Sequence, residues 1–78
     1  MTRNEESLLI ITYCFQAKRG FKYGKPLHHL PPELAEAHRG LVEKGLAFVK
    51  TPYRDKSYRY LFLTRKGCEL AEKLLKLC

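Results

Sequence analysis

The stretch Leu41-Val42-Glu43-Lys44-Gly45-Leu46-Ala47-Phe48-Val49-Lys50-Thr51 holds the change of backbone that organises this 78-residue chain. Up to Lys44 the apolar positions follow helical spacing, with Leu34, Ala37 or His38, and Leu41 on one side. Gly45 then offers a left-handed terminator, and Ala47 to Thr51 reads as a strand. Pro52-Tyr53-Arg54-Asp55-Lys56 reads as a turn and Ser57 to Leu63 as a second strand, so the pair forms an antiparallel hairpin. In that second strand Tyr58, Tyr60 and Phe62 share one face, and Arg59, Leu61 and Leu63 the other. Thr64 supplies an N-cap for a last helix carrying Cys68, Leu70 or Ala71, Leu74, Leu75 and Cys78 at helical spacing.

Upstream, Pro32 suits the first position of the helix that ends at Lys44, because its missing N–H costs nothing there. Pro31 ends any turn formed by Leu27 to Leu30. Gly20 and Gly24 bracket a basic, aromatic loop, Gly20-Phe21-Lys22-Tyr23-Gly24-Lys25-Pro26, both being free to take positive φ. The segment from Thr2 to Lys18 opens on a capping box, Thr2-x-x-Glu5. Its apolar positions run Leu8, Ile11, Cys14 or Phe15, widened by Leu9, Ile10 and Tyr13. The β-branched run Ile10-Ile11-Thr12-Tyr13 also suits a strand core, but length and capping favour a helix. The expected order is helix, short turn, helix, hairpin, helix: a single α+β domain over residues 1–78.

Net charge is +7 and unevenly spread. Segments 18–25 and 50–66, which include Lys22, Lys25 and Lys50, hold ten of the fifteen Lys and Arg residues with one acid, Asp55, and the remainder is slightly acidic. Such clustering fits a polyanion-binding surface, or a solvated basic surface. No apolar run is long enough to span a bilayer, and the N-terminus lacks the cationic start and apolar run of a secretory signal, so a cytoplasmic location is expected.

Three widely spaced cysteines suit neither a disulfide framework nor a paired metal knuckle. Cys14 and Cys68 read as small core residues and Cys78 as an exposed terminal thiol. His28, His29 and His38 have no Cys or His partner at zinc-ligand spacing, so no metal or other cofactor is expected. No phosphate-cradling glycine loop, carboxylate pair or Ser-His-Asp arrangement is present, and no enzyme activity or small-molecule substrate is expected.

Two patterns, Leu41-Val42-Glu43-Lys44-Gly45-Leu46-Ala47 and Tyr60-Leu61-Phe62-Leu63-Thr64-Arg65-Lys66-Gly67, resemble winged helix-turn-helix transcriptional regulators of the MarR and PadR kind. The first is similar to the end of their recognition helix and the start of the wing. The second is similar to the wing's return strand and its Leu-Thr-x-x-Gly entry into the last helix. The resemblance covers about half the chain and implies a winged helix with a shortened helix-turn-helix, since Gly24 to Pro31 holds at most one turn. It implies that Pro32 to Lys44 is the recognition helix, with Arg39, His38 and Lys44 available to duplex DNA, and that Arg54, Lys56 and Arg59 are wing contacts.

Glu33, Glu36 and Glu43 make that helix acidic, so the charge favours binding through the wing and the Lys18–Lys25 loop. Duplex DNA is the expected partner, with a homodimer through the first and last helices. The alternatives are a protein-interaction winged helix without DNA binding, and a single-strand binder using the aromatic and basic residues at Phe21-Lys22-Tyr23, Tyr53-Arg54 and Tyr58-Arg59-Tyr60, although strand aromatics more commonly pack the hairpin onto the helices.

Overall fold

The computed structural model describes residues 1–52, 54 and 57–76. Helix α1 runs Arg3–Arg19, strand β1 Lys25–Pro26, and a 3-10 turn Leu27–His29. Helices α2 (Pro32–Glu36) and α3 (His38–Glu43) follow, then strands β2 (Ala47–Lys50) and β3 (Tyr60–Leu63) and helix α4 (Arg65–Lys76). The α+β order expected from the sequence is present.

The capping box forms as expected. The Glu5 amide donates to the Thr2 hydroxyl at 3.1 Å and the Thr2 amide donates to Glu5 Oε1 at 2.9 Å. At the other end Gly20, at φ 113°, caps α1 by donating its amide to the Gln16 carbonyl at 2.7 Å. Gly24 needs no positive φ. It is buried because the Phe62 ring lies on it, and a Cβ there would stand 2.6 Å from that ring.

Two local expectations change in detail. The helix expected from Pro32 to Lys44 starts at Pro32 but divides at Ala37, where the Ala37 amide turns to the Leu34 carbonyl and the buried His38 ring donates Nδ1–H to the Ala35 carbonyl. The second strand is four residues rather than seven, and a third strand, β1, joins its other edge. The sheet order is β1-β3-β2, antiparallel throughout, with Pro26 opposite Tyr60 and Lys25 opposite Leu61.

In the β2–β3 ladder Ala47 faces Leu63 and Val49 faces Leu61, and these pairs belong to the core; the alternate pairs, Phe48 with Phe62 and Lys50 with Tyr60, occupy the opposite face. The core is made by Leu8, Leu9, Leu27, Leu41, Leu46, Ala47, Leu61, Leu63 and Ala71, all buried. Each buried leucine contributes about 1.5–3 kcal/mol relative to exposure.

Helix α1 does not bury the face that hydropathy marks. Its buried positions are Glu5, Leu8, Leu9, Thr12 and Gln16, so Cys14, expected in the core, is exposed on the opposite side. Cys68 is half-buried against the core, and burial pushes its thiol pKa up, with Glu72 adding to the shift. Cys78 lies outside the described residues. Glu5 is tolerated because Lys44 Nζ reaches its two oxygens at 3.2 and 3.4 Å. The Tyr13 hydroxyl donates to Glu72 at 2.9 Å and ties α1 to α4.

The hairpin is locked to α4 by backbone contacts. The Thr64 amide donates to the Leu46 carbonyl at 3.0 Å, the Thr64 hydroxyl donates to the Gly45 carbonyl at 2.8 Å, and the Gly67 amide donates to the Thr64 hydroxyl at 3.2 Å. Gly67 is buried so closely that a Cβ would stand 2.0 Å from the Leu46 carbonyl oxygen.

Gly67→Ala is therefore expected to destabilise the domain by at least about 1–3 kcal/mol, read as a fall in thermal midpoint of about 4–8 °C per kcal/mol. Glu5 provides a pH-dependent element. The Thr2 backbone amide, opposed by desolvation and assisted by Lys44, holds its carboxyl below the usual glutamate value. Its stabilising contribution is present above pH 4.5 and is lost as pH falls below that value through the depressed pKa. Denaturant midpoints between pH 5 and pH 3 are expected to fall less steeply in Glu5→Gln than in the wild type; parallel curves would show that Glu5 does not carry the effect.

Candidate nucleic-acid interface

The expected contact residues separate into two groups. His38 and Arg39, from α3, share a cavity of about 230 Å³ with Arg59, just before β3. Arg39 and Arg59 are exposed, whereas His38 is buried and committed to the Ala35 carbonyl, so its ring positions the helix rather than projecting from it. Arg59 is itself fixed at the backbone, its carbonyl accepting the Leu27 amide at 2.9 Å. Glu36 lines the same cavity, and Glu33 and Glu43 are exposed on the same helical segment. The helix–wing junction thus carries two guanidinium groups in an otherwise mixed field.

Lys22, Lys25 and Lys50 belong to the second group, around the aromatic outer surface. Lys22 Nζ lies 5.2 Å from the Tyr23 ring centre, Lys25 Nζ 5.0 Å from Phe15, and Lys50 Nζ 5.6 and 5.2 Å from Phe48 and Phe62. Arg19, which the motif reading did not single out, stands 5.7 Å over Phe15. Lys44 joins neither group, being held by Glu5. Arg54 is exposed in the wing turn. Lys56, with its neighbours Tyr53 and Asp55, lies outside the described residues.

One polar side chain fixes the loop that presents Lys22. Gln16 is 1% exposed, and its Nε2 donates to the Phe21 and Tyr23 carbonyls at 3.1 and 3.2 Å while its Oε1 accepts the Leu63 amide at 3.0 Å. It satisfies three backbone groups and binds the Gly20–Gly24 loop to the end of β3. A glutamine at this position carries no sequence signal for such a role, because its partners are distant backbone atoms.

No group of three His, Cys, Asp or Glu side chains able to hold a metal exists among the described residues. No helix among them is long and apolar enough to cross a membrane.

A helical pair followed by a two-stranded wing, with a third short strand closing the sheet and flanking helices behind, defines a winged-helix domain. No family model and no curated protein matches the sequence. Among solved structures, the domain superposes on S. aureus MepR bound to ethidium bromide, a MarR-family winged-helix regulator, with a TM-score of 0.70 at 19% identity. The superposition covers 99% of this chain and 56% of that one, so the chain spans about half the length of the regulator whose fold it shares.

Replacing Gln16 by Leu leaves the volume but orphans its backbone partners. A loss of about 1–3 kcal/mol is expected, together with faster amide exchange over residues 20–24; unchanged exchange there would mean that the loop holds itself.

Proposed function

We propose that the domain is a DNA-binding regulator that engages duplex DNA through the junction of α3 and the wing. The observation that carries the reading is the convergence of Arg39 and Arg59, from separate elements, on one cavity, with exposed Arg54 further along the wing. Guanidinium groups offer fork-shaped donors suited to phosphate oxygens and to guanine edges. The winged-helix fold and its likeness to a regulator support the same assignment. Lys56 is included with Arg54 as a wing-tip contact, and Lys22, Lys25 and Lys50 as flanking phosphate contacts. His38 acts through the helix it buttresses. Lys44 contributes to DNA only if its tie to Glu5 opens. The charges of Glu33 and Glu36 leave little affinity for the helix alone, so most binding energy comes from wing and loop cations.

The domain also pairs with a second copy through α1 and α4 in this reading. Ile10 and Ile11 are half-buried and Leu75 is 40% exposed, apolar area that the single domain does not cover. A cytoplasmic setting suits the unpaired thiols of Cys14 and Cys68.

Fluorescence anisotropy with a mixed-sequence blunt duplex over a range of salt tests the assignment. The wild type is expected to bind with a steep salt slope, and Arg39→Ala with Arg59→Ala to lose affinity and to reduce that slope by about one per phosphate contact removed. Absence of binding at low salt would turn the assignment to a protein-interaction winged helix, and a single species at monomer mass by sedimentation would remove the dimer.

A further inference from the structure

The outer face of the sheet carries a cleft whose aromatic floor the duplex reading does not use, although the rim cations Lys22, Lys25 and Lys50 serve that reading as flanking phosphate contacts. It has a volume of about 610 Å³ and is lined by Phe15 and Arg19 of α1, Lys22 and Tyr23 of the loop, and Tyr60 and Phe62 of β3. Phe62 stacks on Phe48 across the ladder, with ring centres 5.3 Å apart and planes within 8°. Gly24 forms part of the cleft wall against the Phe62 ring, and any side chain there would collide with it. Tyr23 and Phe48 remain 52% and 39% exposed.

Four cations surround these rings. Arg19, Lys22, Lys25 and Lys50 each lie over an aromatic face, none is paired with a carboxylate among the described residues, and no acidic side chain among them lines the cleft. Rings framing the cleft, with Tyr23 about half exposed at its edge, select a flat ligand that exchanges with the cations now lying over them. Cations distributed along the rim, rather than one at its centre, select a ligand whose negative charge is spread along a chain. The volume falls within the roughly 300–1,000 Å³ of small-ligand sites. A nucleotide meets all three conditions, its base stacking on an aromatic face and its phosphate meeting the rim.

We infer that this cleft binds an unpaired nucleotide. A duplex hides its base faces, so its phosphates reach only the rim, and the aromatic floor distinguishes unpaired from paired nucleic acid. Recognition by stacking is tolerant of base identity, because every base presents a π face. The site is independent of the Arg39–Arg59 junction, which lies around α3 and the start of β3.

The test uses the full chain with fluorescein-labelled dT10, an abasic 10-mer of the same charge, dTMP and a blunt duplex. dT10 is expected to bind in low salt at least about five-fold more tightly than the abasic strand. Phe62→Leu is expected to weaken dT10 by at least about five-fold and to leave the blunt duplex unaffected. Arg19→Ala with Lys22→Ala, both at exposed positions, is expected to lower the salt slope for dT10. Competition by dTMP at the same nucleotide concentration as dT10 identifies a free nucleotide as occupant, and much tighter binding of dT10 identifies a strand. Equal binding of dT10 and the abasic strand, or no binding of either dT10 or dTMP, overturns the proposal. Should Phe62→Leu prove unfolded by its melting curve, the abasic comparison on the wild type still decides the matter.

Discussion

Thr64 holds the two halves of the domain in one frame. Its amide and hydroxyl engage the consecutive carbonyls of Leu46 and Gly45, where the helical pair ends and the wing begins, while the same hydroxyl accepts the Gly67 amide at the start of α4. Gly45, at φ 72°, turns the chain so that both carbonyls are available, and Gly67 lacks the side chain that would strike the Leu46 oxygen. This contact joins the end of the helical pair, the return strand of the wing and the start of α4 at one point. The motifs ending in Gly45-Leu46 and Thr64-x-x-Gly67 are therefore two sides of one joint.

A second set of constraints comes from polar groups on the inner face of α1. Glu5 is buried with Lys44 and the Thr2 amide, and Gln16 with three backbone groups of the loop and β3. Thr12, fully buried between them, has a hydroxyl with no partner among the described residues. Gly40 permits the approach, since a Cβ there would run into the Glu5 carboxylate. Burying charged and amide groups is costly unless they are matched, and matching them across elements specifies one arrangement of helix, loop and sheet. The apolar residues displaced from that face, Ile10, Ile11 and Cys14, are left half-buried or exposed.

The basic residues serve two chemically different surfaces for a geometric reason. At the helix–wing junction the cations are guanidinium groups beside a carboxylate, Glu36, in a small cavity. On the sheet's outer face they lie over aromatic rings and away from acids. Strand alternation produces this separation, because Leu61 and Leu63 must face the core and Tyr60 and Phe62 are thereby turned outward.

Local signals settled much of the architecture. The capping box, Pro32 at a first helical position, Gly45 as a terminator and the alternation of β3 act over a few residues, so their physics is visible in sequence. The split of Tyr60 and Phe62 from Leu61 and Leu63 onto opposite faces, and the shortness of the Gly24–Pro31 connection, were equally legible; which face lies outward was not, because aromatic side chains suit packing onto the helices as well as Leu61 and Leu63 do. The buried face of α1 was not, because hydropathy prefers Ile11 and Cys14 and has no knowledge of partners for Glu5 and Gln16 contributed by distant elements. Strand β1 escaped notice because two residues ending in proline make no periodic signal, and they become a strand only through the free edge of β3. Of the candidate contacts, sequence placed the charges in segments, and tertiary structure divided them. Lys44 went to Glu5, Arg39 met Arg59, and Arg19, Lys22, Lys25 and Lys50 gathered over rings brought together from α1, the loop and the sheet. Backbone preference and capping depend on neighbours in the chain and so were determined by sequence alone; which polar groups pair, and which cations share a surface, depends on neighbours in space.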